Sequence, residues 1–235
     1  MSKKFAVFDI DGTIFRWQLY HELFDEFHRR GIVSNEDFLP IFTARSDWRD
    51  KKIAFEAYEE MLVKSMERCI VGISESTLIE AADQIIASKG NQTYRYTTQL
   101  ISELKEKGYT ILAISGSHQQ AIERFASLHG IDIAYGRTHT IRGGLVTSET
   151  RQVYGFKAEI LRQLVDEHQL DWGDSYAIGD TKSDADMMEL VTNPIAFNPD
   201  QALYERARKE HWPIVIERKN MIYKLESNGN TFVLA

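Results

Sequence analysis

FAVFDIDGTIF, residues 5–15, is the stretch from which the rest of the chain can be read. FAVF is apolar without polar alternation, the pattern of a parallel strand buried on both faces. The run ends on two carboxylates, Asp9 and Asp11, with Ile10 between them and Gly12 and Thr13 after. Taken alone this is turn chemistry, because Asp and Gly both favour tight turns. A spacing of two also places both carboxylates on one side of an extended chain. What the pair means depends on what else the chain brings to the end of this strand.

Further apolar runs rich in Val, Ile, Phe and Tyr follow: YTILAIS (109–115), IDIAYG (131–136), SYAIGD (175–180) and PIAF (194–197). Helical patterns separate most of them. TTQLISELKEKG (97–108) carries Leu100, Ile101 and Leu104 at helical spacing and stops at Gly108. HQQAIERFASLHG (118–130) and FKAEILRQLVDEHQL (156–170) repeat the form. Strand–helix alternation with glycine at helix ends predicts an α/β fold built on a doubly wound, Rossmann-like parallel sheet. From about residue 16 to about residue 90 the rhythm changes to helices only, in FRWQLYHELFDEFHRRG, DFLPIFTARSDW, KIAFEAYEEMLVKSMERC and SESTLIEAADQIIASKG. Trp17, Phe24, Phe27, Phe42, Phe55 and Tyr58 are expected to give this segment a small core of its own, as a helical domain or lid inserted after the first strand. The expected division is therefore 1–15 with 91–235 as the core and 16–90 as the insert. The tail ERKNMIYKLESNGNTFVLA is expected to form a hairpin around Asn228-Gly229.

Composition narrows the function. The 235 residues, 43% of them hydrophobic, are enough for a large core. A net charge of −7 gives no bulk attraction to a phosphate backbone, so nucleic acid is not expected as a partner. No apolar run reaches the ~18 residues of a membrane span. The single cysteine, Cys69, cannot make an internal disulfide, and with no secretory leader recognisable in MSKKFAVFD the expectation is a cytoplasmic protein. Oligomeric state is left open.

Ligands of open α/β sheets bind at the carboxyl ends of the strands. Gathered there are Asp9, Asp11, Gly12 and Thr13 after the first strand, and Ser115, Gly116 and Ser117 after the second. Lys157 enters a helix, and Gly179, Asp180, Thr181 and Asp184 follow a later strand. Crowded carboxylates repel unless a cation shares them, and oxygen ligands suit magnesium, which needs few protein carboxylates when a substrate phosphate completes its shell. A phosphoryl group needs its oxygens held by metal, lysine, hydroxyl and backbone N–H. An aspartate can attack phosphorus, and a second acid can protonate the leaving oxygen and later activate water.

D-I-D-G-T (9–13), S-G (115–116), Lys157 and G-D-T-K-S-D (179–184) together resemble, in order and spacing, the four motifs of the haloacid dehalogenase superfamily in its phosphatase branch. The helical insert between the first two motifs, and NPIAFNPD (193–200), resemble its phosphoserine phosphatase-like subgroup. The resemblance implies a Rossmann-like core with an inserted α-helical cap domain. It implies Asp9 as nucleophile and metal ligand, and Asp11 as general acid/base that also offers its backbone carbonyl to the metal. Thr13, Ser115, Gly116 and Lys157 are implied for the phosphate, with Lys157 also neutralising Asp9. Asp180 is implied as a ligand of Mg2+, and Asp184 as the residue that orients the metal's surroundings. An acid two residues after the nucleophile favours phosphate esters over carbon–halogen bonds, because halide leaves unprotonated.

The expected function is a magnesium-dependent phosphomonoesterase acting on a small phosphorylated metabolite through an aspartyl-phosphate. A phosphotransferase using the same intermediate, or a non-enzymatic phospho-signalling module, would use the same residue types. Phosphoserine itself is disfavoured: Gln18 stands near the place where phosphoserine phosphatases carry a glutamate, and Ser183 where they often carry Asn. Arg16, Trp17, Gln18 and Tyr20 are candidates to meet the leaving group. The seven histidines show no metal-binding spacing and are expected to be surface or core residues.

Overall fold

The structure, a computed structural model, describes residues 3–228 and 231–234. A single sheet runs through it in the order β4-β3-β2-β1-β5-β6-β7-β8-β9. At its centre lies β1 (Lys3–Phe8), flanked in parallel by β2 (Thr110–His118) and β5 (Leu170–Gly179). β3 (Ile133–Arg142), β6 (Asn193–Phe197) and β7 (Ile214–Arg218) extend the parallel part outward. β4 (Leu145–Arg151) and the pair β8 (Met221–Asn228) and β9 (Thr231–Leu234) add antiparallel edges.

The continuous apolar run in β1 is explained by its place. Ala6 and Phe8 face one side of the sheet, Phe5 and Val7 the other, and all four are completely buried. Phe5, Val7 and Phe8 each contribute roughly 1.5–3 kcal/mol through burial. The side of Phe5 and Val7 is covered by α7 (Lys157–Glu167), α8 (Ala185–Met188) and α9 (Gln201–Glu210). The side of Ala6 and Phe8 is covered by α5 (Arg95–Glu106) and α6 (Gln119–His129). The doubly wound α/β expectation therefore holds.

Between β1 and α5 the chain forms α1 (Leu19–Arg29), α2 (Asn35–Arg49), α3 (Phe55–Ile70) and α4 (Glu75–Lys89). Ser34 and Ser74 accept hydrogen bonds from the third residue of α2 and α4 respectively, so the capping signals in the sequence are realised. The outgoing and returning chain pair with each other: Arg16 N–H donates to Gln92 O and Tyr94 N–H to Ile14 O, both at 2.9 Å. The separate aromatic core expected here is corrected. Phe24, Phe27 and Tyr58 are buried, but Trp17 and Phe42 are about half exposed, at 49% and 54%. The buried residues of α1, α3 and α4 also join Phe8, Ile10 and Phe125 in one continuous cluster with the sheet face. The helices therefore pack on the sheet face at Phe8 and Ile10, alongside α5 and α6, rather than only on themselves.

The β3–β4 hairpin was not evident in the sequence and reaches up to this helical segment. Gly72 N–H donates to Val146 O, and Val146 N–H to Ile73 O. The tail forms the expected antiparallel pair β8–β9 with Asn228 opposite Thr231, while Gly229 of the expected turn lies outside the described residues. Among the described residues no helix is long and apolar enough to cross a membrane.

Candidate active site

Strand β1 delivers Asp9 to the carboxyl edge of the sheet, where its N–H still donates to Ile178 O of β5 at 2.9 Å. The chain then turns sharply. The N–H groups of Thr13, Ile14 and Phe15 all converge on Ile10 O, and Gly12 sits at φ +89. A Cβ at residue 12 would lie 2.2 Å from Asp180 Oδ2, so glycine here serves both the left-handed turn and the close approach of the Asp180 loop.

Lys157, at the start of α7, reaches into this edge and is 5% exposed. Its Nζ donates to Asp9 Oδ1 and Asp184 Oδ1, each at 2.6 Å. Asp184 is fully buried and doubly held. Its other oxygen accepts the N–H groups of Asp180 at 3.1 Å and Thr181 at 3.0 Å. Gly179 has no room for a side chain, because a Cβ there would meet Asp184 Cβ at 2.3 Å. Asp180 is steadied by Thr13 Oγ1, which donates to its Oδ1 at 3.1 Å. Asp11 turns the other way. Its Oδ1 accepts Leu19 N–H at 2.6 Å, and its Oδ2 accepts the hydroxyls of Ser115 at 2.6 Å and Ser117 at 2.8 Å.

The electrostatics follow from this crowding. Burial pushes Asp9 up to about 8; the charge of Lys157 opposes, and those of Asp184 and Asp11 add to the rise. Burial, then the charges of Asp9 and Asp184, hold Asp180 well above the carboxylate range. Burial also raises Asp11, against the hydrogen bonds of Ser115, Leu19 and Ser117. Burial pulls the Lys157 ammonium down, but the carboxylates of Asp184 and Asp9 outweigh it and hold it above its usual range. One ammonium is shared among too many carboxylates. Asp9, Asp180 and Asp184 each bring an oxygen within 4.8 Å of the others. With all three carboxylates ionised, one lysine leaves two negative charges, the complement of a divalent cation, and an all-oxygen donor set suits a hard one. Among the described residues this is the only such grouping of acidic, histidine or cysteine side chains.

Above the cluster opens a chamber of about 500 Å³. Asp9, Asp11, Gly116, Ser117, Lys157 and Asp180 line its floor, while Gln18, Tyr20, Phe55, Glu59, Val63 and Arg137 line its walls. The expected residues Asp9, Asp11, Gly116, Lys157, Asp180 and Asp184 thus meet at one place. Thr13 is also there, but it is fully buried and its hydroxyl holds Asp180 rather than facing the chamber. Ser115 is likewise fully buried, with its hydroxyl on Asp11. Of the leaving-group candidates, Gln18 and Tyr20 line the chamber. Arg16 is engaged with Thr93 O and Glu217, and Trp17 Nε1 donates to Gln92 Oε1. Ser117 and Arg137 carry parts of the site that the motifs did not assign. Ser117 had a signal in the second polar residue of S-G-S, whereas Arg137, on the unforeseen hairpin, had none. Histidines 21, 118 and 139 lie in the interior, as expected for core residues.

Comparison with known proteins agrees with this geometry. A family model described as haloacid dehalogenase-like hydrolase matches residues 6–189. The chain is 28% identical over 221 residues to an "Inhibition of morphological differentiation protein" of Streptomyces azureus, covering 89% of this chain and 77% of that one. It is 26% identical over 224 residues to a phosphoserine phosphatase of Methanocaldococcus jannaschii, covering 94% and 95%. A solved structure of a protein of unknown function from Bordetella pertussis Tohama I superposes with a TM-score of 0.75 at 18% identity, covering 92% and 99%. With the four motifs meeting at one sheet edge and the family model spanning most of the chain, the protein belongs to the haloacid dehalogenase-like hydrolases.

Proposed function

We propose that this chain is a magnesium-dependent phosphomonoesterase that hydrolyses a small phosphorylated metabolite through an aspartyl-phosphate on Asp9. The observation that carries the reading is the buried Asp9–Lys157–Asp184 ion group beside a hydrogen-bonded Asp11 on the chamber floor. In this reading Asp9 and Asp180 hold the metal together with the backbone carbonyl of Asp11. Bound magnesium would neutralise the crowded carboxylates and draw charge from the phosphoryl oxygens.

This chain's own residues do the rest. Asp184, with one oxygen on Lys157 and the other on backbone N–H groups, fixes the lysine and the Asp180 loop in place. Lys157 and the backbone N–H of Gly116 hold phosphoryl oxygens. An Asp9 oxygen attacks phosphorus as the ester P–O bond breaks. Asp11, whose carboxyl burial shifts toward its protonated form, passes a proton to the departing alkoxide. Asp11 then takes a proton from water, the water oxygen attacks phosphorus, the Asp9–phosphorus bond breaks, and inorganic phosphate leaves. Residues 1–15 and 91–235 form the catalytic core and 16–90 the cap, which excludes bulk water from the chamber. The reducing cytoplasm suits a chain whose only cysteine is Cys69.

The test is phosphate release from a panel of metabolite phosphomonoesters and p-nitrophenyl phosphate, with magnesium and with chelator, and with acceptor alcohols added. Magnesium-dependent release supports the reading. Transfer of the phosphoryl group to the alcohols in preference to water would replace hydrolysis with phosphotransfer.

A further inference from the structure

The hydrogen bonds on Asp11 all pass through two short pieces of backbone. Leu19 N–H donates to Asp11 Oδ1 at 2.6 Å, and Ser117 Oγ donates to Oδ2 at 2.8 Å. Ser115 Oγ also donates to Oδ2, and it is itself held from residue 117, because Ser117 N–H donates to it at 3.0 Å. The orientation of the Asp11 carboxyl therefore depends on where residues 19 and 117 stand. They come from distant parts of the chain: Leu19 opens α1, and Ser117 lies at the end of β2.

The neighbours of these residues lock the two pieces together. Tyr20 and His118 are both buried and stack face to face, with ring centres 5.1 Å apart and planes 9° from parallel. Two more groups extend the stack. His139 of β3 lies 5.3 Å from His118 at an interplanar angle of 19°, and the Arg137 guanidinium lies 5.4 Å from the centre of the Tyr20 ring. Arg137 is tied in turn to Glu67 of α3 and to Gln152. Hydrogen bonding does not account for His118. Among the described residues neither of its ring nitrogens has a partner, although burying a polar group without one costs stability. Burial, then the charges of His139 and Arg137, holds its imidazole well below the usual range, so the ring is neutral. What His118 offers at this place is a flat face, and ring stacking is directional where aliphatic packing is not.

We infer that Tyr20 and His118 are positioning residues for Asp11: their stack fixes the start of α1 to the end of β2 and so keeps the donors of Asp11 in the arrangement from which it gives up and takes back its proton. The inference rests on the phosphomonoesterase reading above, with Asp11 as acid and base. A misplacement of about 1 Å, caused away from the reacting atoms, can cost about 100-fold in rate. Here the cost falls on the steps in which Asp11 moves a proton.

The test is rapid mixing with p-nitrophenyl phosphate and magnesium for wild type, His118→Leu, Tyr20→Leu and Tyr20→Phe, with melting temperatures measured alongside. Leucine keeps an apolar side chain but no flat face. Phenylalanine keeps the face of Tyr20 and loses only a hydroxyl that accepts one long hydrogen bond from Arg137 Nη1, at 3.5 Å. p-Nitrophenolate leaves without a proton, so both leucine variants should keep a burst approaching one p-nitrophenol per active site. The turnover that follows needs Asp11 as base and should be about 10–100-fold slower than in wild type. In His118→Leu, kcat for glycerol 3-phosphate should fall by a similar factor with KM within about threefold, and Tyr20→Phe should turn over within about threefold of wild type. Either leucine variant decides, since each breaks the same stack. A merely structural role would lower melting temperature and burst amplitude together and leave the slow phase per active site unchanged. That result overturns the inference, as does a Tyr20→Phe variant as slow as Tyr20→Leu. Release by wild type with the slow phase unmoved in the leucine variants removes this inference alone, whereas no release by wild type removes the phosphomonoesterase reading and this inference with it.

Discussion

Replacing Asp11 by Asn separates the proton-transfer chemistry from the architecture around it. In the folded chain Asp11 accepts three hydrogen bonds, from Leu19 N–H, Ser115 Oγ and Ser117 Oγ. Asparagine keeps the Oδ1 acceptor for Leu19, and its amide can donate to serine hydroxyls that turn to accept. Burial already disfavours the charged form of Asp11, so losing that charge does not harm the fold. The expected stability change is within about 1 kcal/mol, or roughly 2–4 °C in melting temperature for a chain of this size. The proton is lost, and general acid–base catalysis is worth about 10²–10⁴-fold, which is roughly 3–5 kcal/mol on the barrier. The loss divides by leaving group. An alkyl ester such as glycerol 3-phosphate needs the proton and slows by the full factor. p-Nitrophenolate leaves unprotonated, so phosphorylation of Asp9 survives while hydrolysis of the intermediate stalls. Rapid mixing of the variant with p-nitrophenyl phosphate should then give a burst approaching one p-nitrophenol per active site, followed by slow turnover. Alkyl ester hydrolysis within about threefold of wild type would place the acid elsewhere. Equal losses on both esters with no burst would mean that Asp11 acts in binding alone.

Three further outcomes follow from the geometry. Gly12→Ala adds a Cβ 2.2 Å from Asp180 Oδ2 at a φ of +89; it should cost about 1–3 kcal/mol of stability and weaken magnesium binding in calorimetric titration, and an unchanged magnesium affinity would refute the close-approach argument. Glu217, 8% exposed, accepts the N–H groups of Arg95 and Tyr96 at 3.2 and 2.8 Å and an Arg16 guanidinium N–H at 2.8 Å; Glu217→Ala should lower stability by about 1–3 kcal/mol in urea unfolding, and an unmoved midpoint would show that this cap of α5 contributes nothing. A carboxyl held up at about 8 from 3.8, as burial holds Asp9, binds its proton more tightly folded than unfolded. Its contribution is therefore complete below 3.8 and is lost as pH rises through about 8. Metal-free protein should melt lower at pH 8 than at pH 5, and magnesium should raise the melting temperature more at pH 8; a magnesium increment independent of pH would contradict it.

The buried frame was legible because its signals are local. FAVF, TILAI and YAI are unbroken apolar runs because those strands are covered on both sides, and Gly130 at φ +65 ends α6 where the sequence placed its stop. The edges were not legible. In β4 only Val146 is buried, and LVTSETR reads as a polar loop because its stability comes from pairing with β3. The same blind spot hid Arg137, which sits on the partner strand and enters the chamber only once the hairpin forms. The floor of the site was readable because each residue lies at the end of a strand or the start of a helix. The partner of the Thr13 hydroxyl, Asp180, was not legible, because the two residues lie far apart in sequence and meet only when the Asp180 loop closes over the first turn. Trp17 and Phe42 were expected in the interior on residue type alone, and large apolar side chains remain exposed in folded proteins often enough that type does not decide burial.

The role of Asp9 as nucleophile is tested by trapping the phosphorylated chain. The protein is mixed with p-nitrophenyl phosphate and magnesium, quenched in acid during turnover, digested, and its peptides are weighed. One added phosphoryl group is expected on the peptide containing Asp9, localised to that residue, absent with chelator and absent in Asp9→Asn together with phosphate release. Continued magnesium-dependent release by a folded Asp9→Asn variant, or a phosphoryl group carried on another residue, would contradict it.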